Sequence, residues 1–448
     1  MAERFADVVV APATARGRAA LAMVRVSGAG AHAVVAAVCR PLRALPLGPG
    51  GPRRVHFVDG AGSFDDGVVI LGAGPATATG EDLAELTCHG SPLVVDRLVT
   101  ALVAAGARVA RPGELTRRAV LAGRMDLVQA EAVDALIRAA SPEGSALAHA
   151  AVDGRLRGPM EALREGLVAA AAELEARLDW PADELALEDD DAVCARLRGL
   201  AAEAAALAGT WARARALVDG CRVALVGAVN AGKSSLFNRL VRRERALVHA
   251  SPGTTRDVLE VTVDLDGLAV TLLDTAGERE TTDPVEAAGQ ALAASLVAEA
   301  DLLVVVLRAR PEGPDGAERA ILKRVEGRRH VVVCNGIDRG AWSGPPGALP
   351  TSAVTGEGVA ALVARVREVL AGAPARADEV AVASARQADL LRSVAGLADE
   401  AAAALALAGP AVAADLTAAA LGELDALTGA DTAEDVLDAV FARFCIGK

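Results

Sequence analysis

No stretch restricts the fold of this 448-residue chain as tightly as Gly227-Ala-Val-Asn-Ala-Gly232-Lys233-Ser234. It follows the apolar, strand-like run Arg222–Val226 and precedes the helix-like run Ser235–Leu240. Two glycines with four residues between them, then lysine and a hydroxyl residue, make the spacing of a phosphate loop between a strand and a helix. Glycine lets backbone N–H groups approach phosphate oxygens, and the opening turn of a helix adds partial positive charge. Lys233 then serves as a point charge for the β- and γ-phosphates, and Ser234 as a ligand for Mg²⁺. A fortuitous Gly-rich turn is the competing reading, and the flanking strand and helix speak against it.

Three further segments follow in the order of a guanine-nucleotide switch protein. Gly253-Thr254-Thr255-Arg256-Asp257 offers a threonine, Thr255, for Mg²⁺ and the γ-phosphate. Asp274-Thr275-Ala276-Gly277 follows the strand-like Ala269–Leu273, with Asp274 placed to hold the metal through water and the Gly277 amide to sense the γ-phosphate. Asn335-Gly-Ile-Asp338 follows the strand-like His330–Cys334, and Ser352-Ala353 lies beyond. The Asp338 carboxylate can accept from the N1–H and 2-amino groups of guanine, a donor pair that adenine lacks, so GTP is expected over ATP. Each tetrapeptide is weak alone, whereas the ordered set is specific.

Around this block the texture changes twice. Residues 1–118 read as mixed α/β, with strands at Val8–Ala11, Leu21–Val26 and Gly67–Leu71 and a helix at Pro92–Ala105. Residues 119–219 read as helices over Gly123–Ala140, Ser145–Leu178 and Asp191–Val218. Strand and helix alternate through 220–372, the pattern of a parallel sheet with crossover helices, and an Ala-rich helical texture returns over 373–448. The expected architecture is an α+β N-terminal domain and a helical bundle interrupted by an inserted P-loop GTPase domain with a Ras-like parallel sheet. A net charge of −13 excludes a globally basic nucleic-acid binder, though not a local basic patch. Cysteines at 39, 88, 194, 221, 334 and 445 form no C-x-x-C pair, which argues against a zinc site or a disulfide framework. The opening residues lack the apolar core of a signal peptide and no apolar run is long enough to span a membrane, so a cytoplasmic protein without a membrane partner is expected. Only three of the 46 basic residues are lysine, at 233, 323 and 448, which marks positions where a compact ammonium can be required.

The chain resembles the tRNA-modification GTPase family called MnmE or TrmE almost end to end. The resemblance is carried by Thr14-Ala-Arg-Gly-Arg-Ala-Ala-Leu-Ala-Met-Val-Arg-Val-Ser-Gly28, Thr79-Gly-Glu-Asp82, Ala110-Arg-Pro-Gly-Glu114, Arg124-Met-Asp-Leu-Val-Gln-Ala-Glu131 and the nucleotide block. The terminal Phe444-Cys-Ile-Gly-Lys448 is its most specific short motif. It implies a folate-binding N-terminal domain, a homodimer, and a heterotetramer with the FAD-dependent partner MnmG. Together these would install a carboxymethylaminomethyl-type group on C5 of the wobble uridine of certain tRNAs. It also implies K⁺-dependent hydrolysis on dimerisation of the GTPase domains, with K⁺ held at Asn230, His249, Ser251 and Thr254 and the attacking water oriented by Glu286. The nucleotide-contacting set is then Asn230, Ala231, Gly232, Lys233, Ser234 and Ser235 of the phosphate loop, followed by His249, Ala250, Ser251, Pro252, Gly253, Thr254 and Thr255. Asp274, Thr275, Ala276, Gly277, Asn335, Asp338, Ser352 and Ala353 complete it. Arg25, Glu85, Arg124 and Lys448 match the contacts to 5-formyltetrahydrofolate or another one-carbon tetrahydrofolate.

Three positions depart from the family pattern. Gly336 stands where the guanine motif carries a lysine whose stem lies along the base, and weaker guanine affinity is expected from its loss. Glu278 follows Asp-Thr-Ala-Gly, and a carboxylate beside a γ-phosphate is expected to turn outward unless it assists the attacking water. Ala78 replaces the tyrosine of the Y-T-G-E-D motif. A one-carbon transferase would need no phosphate loop, and a ribosome-assembly switch usually carries an appended basic RNA-binding domain that is not visible here. A switch that binds GTP without hydrolysing it sits poorly with Asn230, Thr255 and Glu286 together. Cys445 is read as a buried or folate-proximal thiol in preference to a nucleophile.

Overall fold

Strand-forming segments rich in valine and leucine assemble into two separate sheets, each covered by helices whose apolar faces supply its core. The computed structural model describes residues 7–42, 48–179, 188–243, 259–274, 295–372, 379–429, 434–442, 444 and 447. The chain divides into two compact units, Met1–Ala130 with Gly422–Lys448 and Glu131–Leu421. No described helix is long and apolar enough to cross a membrane.

The first unit holds β1 (Val9–Pro12), β2 (Leu21–Ser27), β3 (Cys39–Pro41), β4 (Arg53–Asp59), β5 (Gly62–Gly72), β6 (Leu83–His89) and β7 (Arg108–Val109). They form one sheet in the order β3-β4-β5-β6-β2-β1-β7, antiparallel except for β1 beside β7. Helices α1 (Ala31–Val38) and α2 (Pro92–Ala104) cover one face, and Val34, Val35, Leu98 and Leu102 pack with Val24, Val26, Val55 and Leu86 of the sheet. Each such side chain buried from water stabilises the fold by about 1.5–3 kcal/mol. The sequence shows only the later half of β5 as a strand, and β4 and β6 escape it because charged residues interrupt their apolar alternation.

Next come α3 (Glu114–Leu121) and α4 (Leu127–Arg138), then α5 (Pro142–Val152), α6 (Arg157–Asp179), α7 (Asp190–Gly209) and α8 (Trp211–Asp219). The single helix expected over Ser145–Leu178 is two, divided at Gly154, which adopts φ 80°. The helix expected over Asp191–Val218 likewise divides at Thr210, whose hydroxyl donates to the Leu207 carbonyl and accepts from Val382 N–H. Apolar periodicity continues through both breaks, which is why the sequence alone does not reveal them.

The second sheet contains β8 (Cys221–Val226), β9 (Leu259–Leu265), β10 (Leu268–Asp274), β11 (Leu302–Arg308), β12 (His330–Asn335) and β13 (Leu349–Thr351). Its order is β13-β12-β11-β8-β10-β9. All neighbours are parallel except β9, which pairs antiparallel with β10 across the Asp266–Gly267 turn, so the expected parallel sheet gains one antiparallel edge strand. Helices α9 (Lys233–Arg243), α10 (Gly316–Val325) and α11 (Val359–Ala371) flank it, followed by α12 (Ala385–Leu407), α13 (Pro410–Thr428) and α14 (Glu434–Phe441). The middle strands are buried on both faces and therefore read as continuous apolar runs.

The start of α5 abuts the end of α8 backbone to backbone. Ala140 N–H donates to the Val218 carbonyl at 2.8 Å, Ser141 Oγ to the Leu217 carbonyl at 2.7 Å, and a side chain at Gly144 would lie 2.2 Å from that same oxygen. Helix α8 then runs through Gly220 directly into β8. Arg367 of α11 reaches the Glu143 carboxylate of α5 and donates from Nε to the Asp266 carbonyl at 2.9 Å.

Candidate functional site: a phosphate loop at the carboxyl edge of the second sheet

Strand β8 is flanked by β10 and β11, with Leu225 opposite Asp274 and Val226 opposite Val305. The carboxyl ends of these strands, with that of β12, therefore open on one edge of the sheet, where open α/β folds bind ligands. The loop Gly227–Gly232 fills this edge and leads into α9. A side chain at Gly227 would lie 2.3 Å from the Val306 carbonyl, and one at Gly232, which has φ 91°, would lie 2.2 Å from Asn335 Nδ2. Both positions thus demand glycine for space, and Gly232 also for its backbone conformation.

Lys233 is buried, and its ammonium donates to the Gly227 carbonyl at 2.9 Å and the Ala228 carbonyl at 3.0 Å. Those bonds fold the side chain back over its own loop and fix where its charge sits. Asp274, at the end of β10, is 8% exposed, and its Oδ1 is buried with no hydrogen-bond partner among the described residues. A buried carboxylate oxygen left unpaired is costly. With Ser234 at the start of the facing helix, an unsatisfied hard oxygen fits the requirements of magnesium.

At the end of β12, Asn335 is committed to holding the loops together. Its Nδ2 donates to the Ala231 carbonyl at 3.3 Å and the Gly232 carbonyl at 3.5 Å, and its Oδ1 accepts from Ala353 N–H at 3.0 Å. Asp338 is exposed, with Oδ1 accepting from the buried Ser352 hydroxyl at 2.5 Å, which in turn accepts from Thr355 N–H at 3.1 Å. The carboxylate is therefore oriented toward solvent from a fixed base, as a guanine acceptor must be. Gly336 adopts φ 96°, so a lysine there would pay the left-handed penalty of an L-residue. His249 to Thr255, Thr275, Ala276, Gly277, Glu278 and Glu286 lie outside the described residues.

Arg308 is a further residue of this edge, absent from every motif named above. It closes β11 opposite Asn335, and its Nη2 donates to the Asn230 carbonyl at 2.8 Å. No local pattern marks it. The buried Glu318 beside it is also absent from the sequence motifs above, although Asp315-x-x-Glu318 has the spacing of a capping box, and its Oε1 accepts from the Arg308 backbone N–H at 2.8 Å.

In the first unit, Arg25 and Glu85 are register partners on β2 and β6, with Nη2 and Oε1 2.9 Å apart and both side chains about a third exposed. Arg124 lies along the Thr79–Asp82 loop, its Cγ 3.4 Å from where a Gly80 side chain would begin. That loop is hooked to β2 through Ser27, whose hydroxyl bonds Thr79 Oγ1 at 2.8 Å and Glu81 Oε2 at 2.9 Å. Gly447, at φ 102°, sits so close to the Pro12 carbonyl that a side chain would approach to 2.0 Å, which sets this one residue of the terminal motif against β1 beside β2. Lys448 and Cys445 lie outside the described residues. A guanidinium and a carboxylate, half-open to solvent, match the carboxylates and pterin N–H groups of a folate. Burial pushes the Cys39 and Cys221 thiols up to about 12, so neither is a nucleophile at neutral pH.

An ionic cluster centred on Arg118 joins the same loop through Glu81. Arg118 is fully enclosed and donates from Nη1 to Glu81 Oε2 at 3.1 Å, and from Nη2 to Asp7 Oδ1 at 2.7 Å and Glu114 Oε1 at 3.0 Å. Burial alone would raise the Glu114 pKa, but hydrogen bonds from Arg108, the Arg111 N–H and Arg118 bring it down to about 2.

The sequence profile described as the GTP-binding protein TrmE N-terminus matches residues 8–124, and that of the MnmE helical domain matches residues 127–445. The tRNA modification GTPase MnmE of Symbiobacterium thermophilum is 42% identical over 464 residues, covering 99% of each chain. Its namesake from Nitratidesulfovibrio vulgaris is 40% identical over 460 residues, again with 99% of each covered. Among solved structures, the G domain of the T. maritima FeoB iron transporter is 25% identical, covering 33% of this chain and 98% of that one with a TM-score of 0.27.

Proposed function

The chain belongs to the MnmE family of tRNA modification GTPases, and from that premise we propose that it is the potassium-activated GTPase of a cytoplasmic homodimer that works with MnmG on tRNA. The reaction proposed is addition of a carboxymethylaminomethyl-type group to C5 of the wobble uridine, with a one-carbon tetrahydrofolate as the carbon source. The domain division is that of the sequence reading: folate-binding 1–118, helical 119–219 and 373–448, and GTPase 220–372.

One observation carries the nucleotide half of this reading. A buried ammonium, a buried unpaired carboxylate oxygen and a solvent-facing Asp338 stand at the carboxyl ends of neighbouring strands in one sheet. Lys233 binds and orients the triphosphate, Ser234 and Asp274 hold the magnesium, and Asp338 selects guanine. Bound Mg²⁺ and K⁺ neutralise the charge that phosphoryl transfer builds on the phosphate oxygens. Asn230 is placed in the loop to hold the monovalent ion, and Glu286 is proposed to orient water. For the folate half, the paired Arg25 and Glu85, with Arg124 on the adjoining loop and Gly447 set against β1, support a site that grips a folate by its charged ends.

The test measures GTP turnover in K⁺ and in Na⁺, together with mass spectrometry of wobble nucleosides from cells lacking the gene. Faster turnover in K⁺ and loss of the C5 aminomethyl groups are expected. Equal turnover in the two salts removes the potassium reading, and an unchanged nucleoside profile removes the tRNA reaction.

A further inference from the structure

Arg308 and Asn335 stand side by side at the carboxyl edge of the second sheet and grip three consecutive carbonyls of the phosphate loop. Arg308 Nη2 takes the Asn230 carbonyl at 2.8 Å, while Asn335 Nδ2 takes those of Ala231 at 3.3 Å and Gly232 at 3.5 Å. Asn230 is one of two non-glycine residues with positive φ among the described residues, at 59°. An L-residue keeps that conformation only where its surroundings hold it there. The neighbouring loop carbonyls are fixed by an asparagine whose own position is locked by Ala353, whereas the Asn230 carbonyl is fixed by a guanidinium from the next strand. The arginine is itself anchored, because its N–H is held by Glu318, which is completely buried within the capping box of α10. Gly336 gives β12 no cation at this edge, and Arg308, one strand across, brings one.

We propose that Arg308 is a positioning residue for the nucleotide site, holding Asn230 in its left-handed conformation and so fixing the shape of the loop that receives the phosphates. The inference requires only that this loop binds guanine nucleotide; it does not depend on the potassium or folate readings.

Equilibrium binding of fluorescent GDP to the full-length protein in Mg²⁺ tests it through a double-mutant cycle. Loss of a charge-assisted hydrogen bond in Arg308→Ala is expected to weaken GDP binding about tenfold, and Arg308→Lys, which keeps a cationic donor, to recover most of that loss. Glycine adopts positive φ freely, so in an Asn230→Gly background the same Arg308→Ala change is expected to cost less than about threefold. A residue that merely stabilised the fold would show equal losses in both backgrounds, and that result overturns the proposal. So does binding by Arg308→Ala within twofold of the unaltered protein. If Arg308→Ala does not fold, the comparison of Arg308→Lys with Arg308→Gln decides: equal affinities for the two overturn the role of the charge.

Discussion

The ionic cluster around Arg118 and the carboxyl edge of the second sheet both bury charge, yet they settle it in opposite ways. Around Arg118, carboxylates from three separate segments, Asp7, Glu81 and Glu114, converge on one guanidinium. At the sheet edge, the Asp274 oxygen is buried without a partner among the described residues, and Lys233 is steered by backbone carbonyls. In the first arrangement every carboxylate has a guanidinium partner, which holds strands and loops together. The second is open, and its unsatisfied oxygen marks where a ligand's charge belongs.

Three experiments press on that contrast. The largest effect is expected at Arg118. Arg118→Ala removes the shared partner of Asp7, Glu81 and Glu114, and breaking a buried ion pair costs about 3–5 kcal/mol, readable as a lower urea midpoint, while GDP affinity stays unchanged. A large loss of GDP affinity would show the two regions are not separable. Next, Lys233→Ala should do the reverse. Nucleotide binding falls about a hundredfold, as expected for loss of a desolvated charge contact, with little change in the urea midpoint. A collapse of stability instead would make Lys233 architectural. The smallest effect concerns acid. Because the Glu114 pKa is lowered to about 2 in the folded protein from an ordinary 4.5, its contribution to stability is complete above about 4.5 and drains away as pH falls toward 2. In Glu114→Gln the stability between those pH values should flatten, and an unaltered acid limb would remove Glu114 from the closed cluster.

How much of this was legible in the sequence follows from the range over which each feature is dictated. The phosphate loop and the guanine motif were readable because a ligand imposes their spacing within a few residues. The capping box Asp315–Glu318 is equally local in its spacing, yet it is not among the motifs named above. Arg308 and Arg118 were not readable, since what makes them matter is strand register and contacts up to 111 residues apart. Thr79-Gly-Glu-Asp82 and Pro-Gly-Glu114 could be quoted as motifs, but nothing local says that Glu81 and Glu114 meet on the same arginine. Antiparallel β9 was missed because its charged residues, Glu260 and Asp264, break the apolar run expected of a buried parallel strand.

The backbone contact between α5 and α8 has a mechanical consequence. The strand that launches the phosphate loop begins two residues after α8 ends, with no slack segment between helix and sheet. Hinging the sheet against those helices therefore means rupturing particular bonds, Ala140 to Val218, Ser141 to Leu217 and Arg367 to Glu143, and cannot be a swing on a tether. The joint is tightest at Gly144, where any side chain would collide with the last turn of α8.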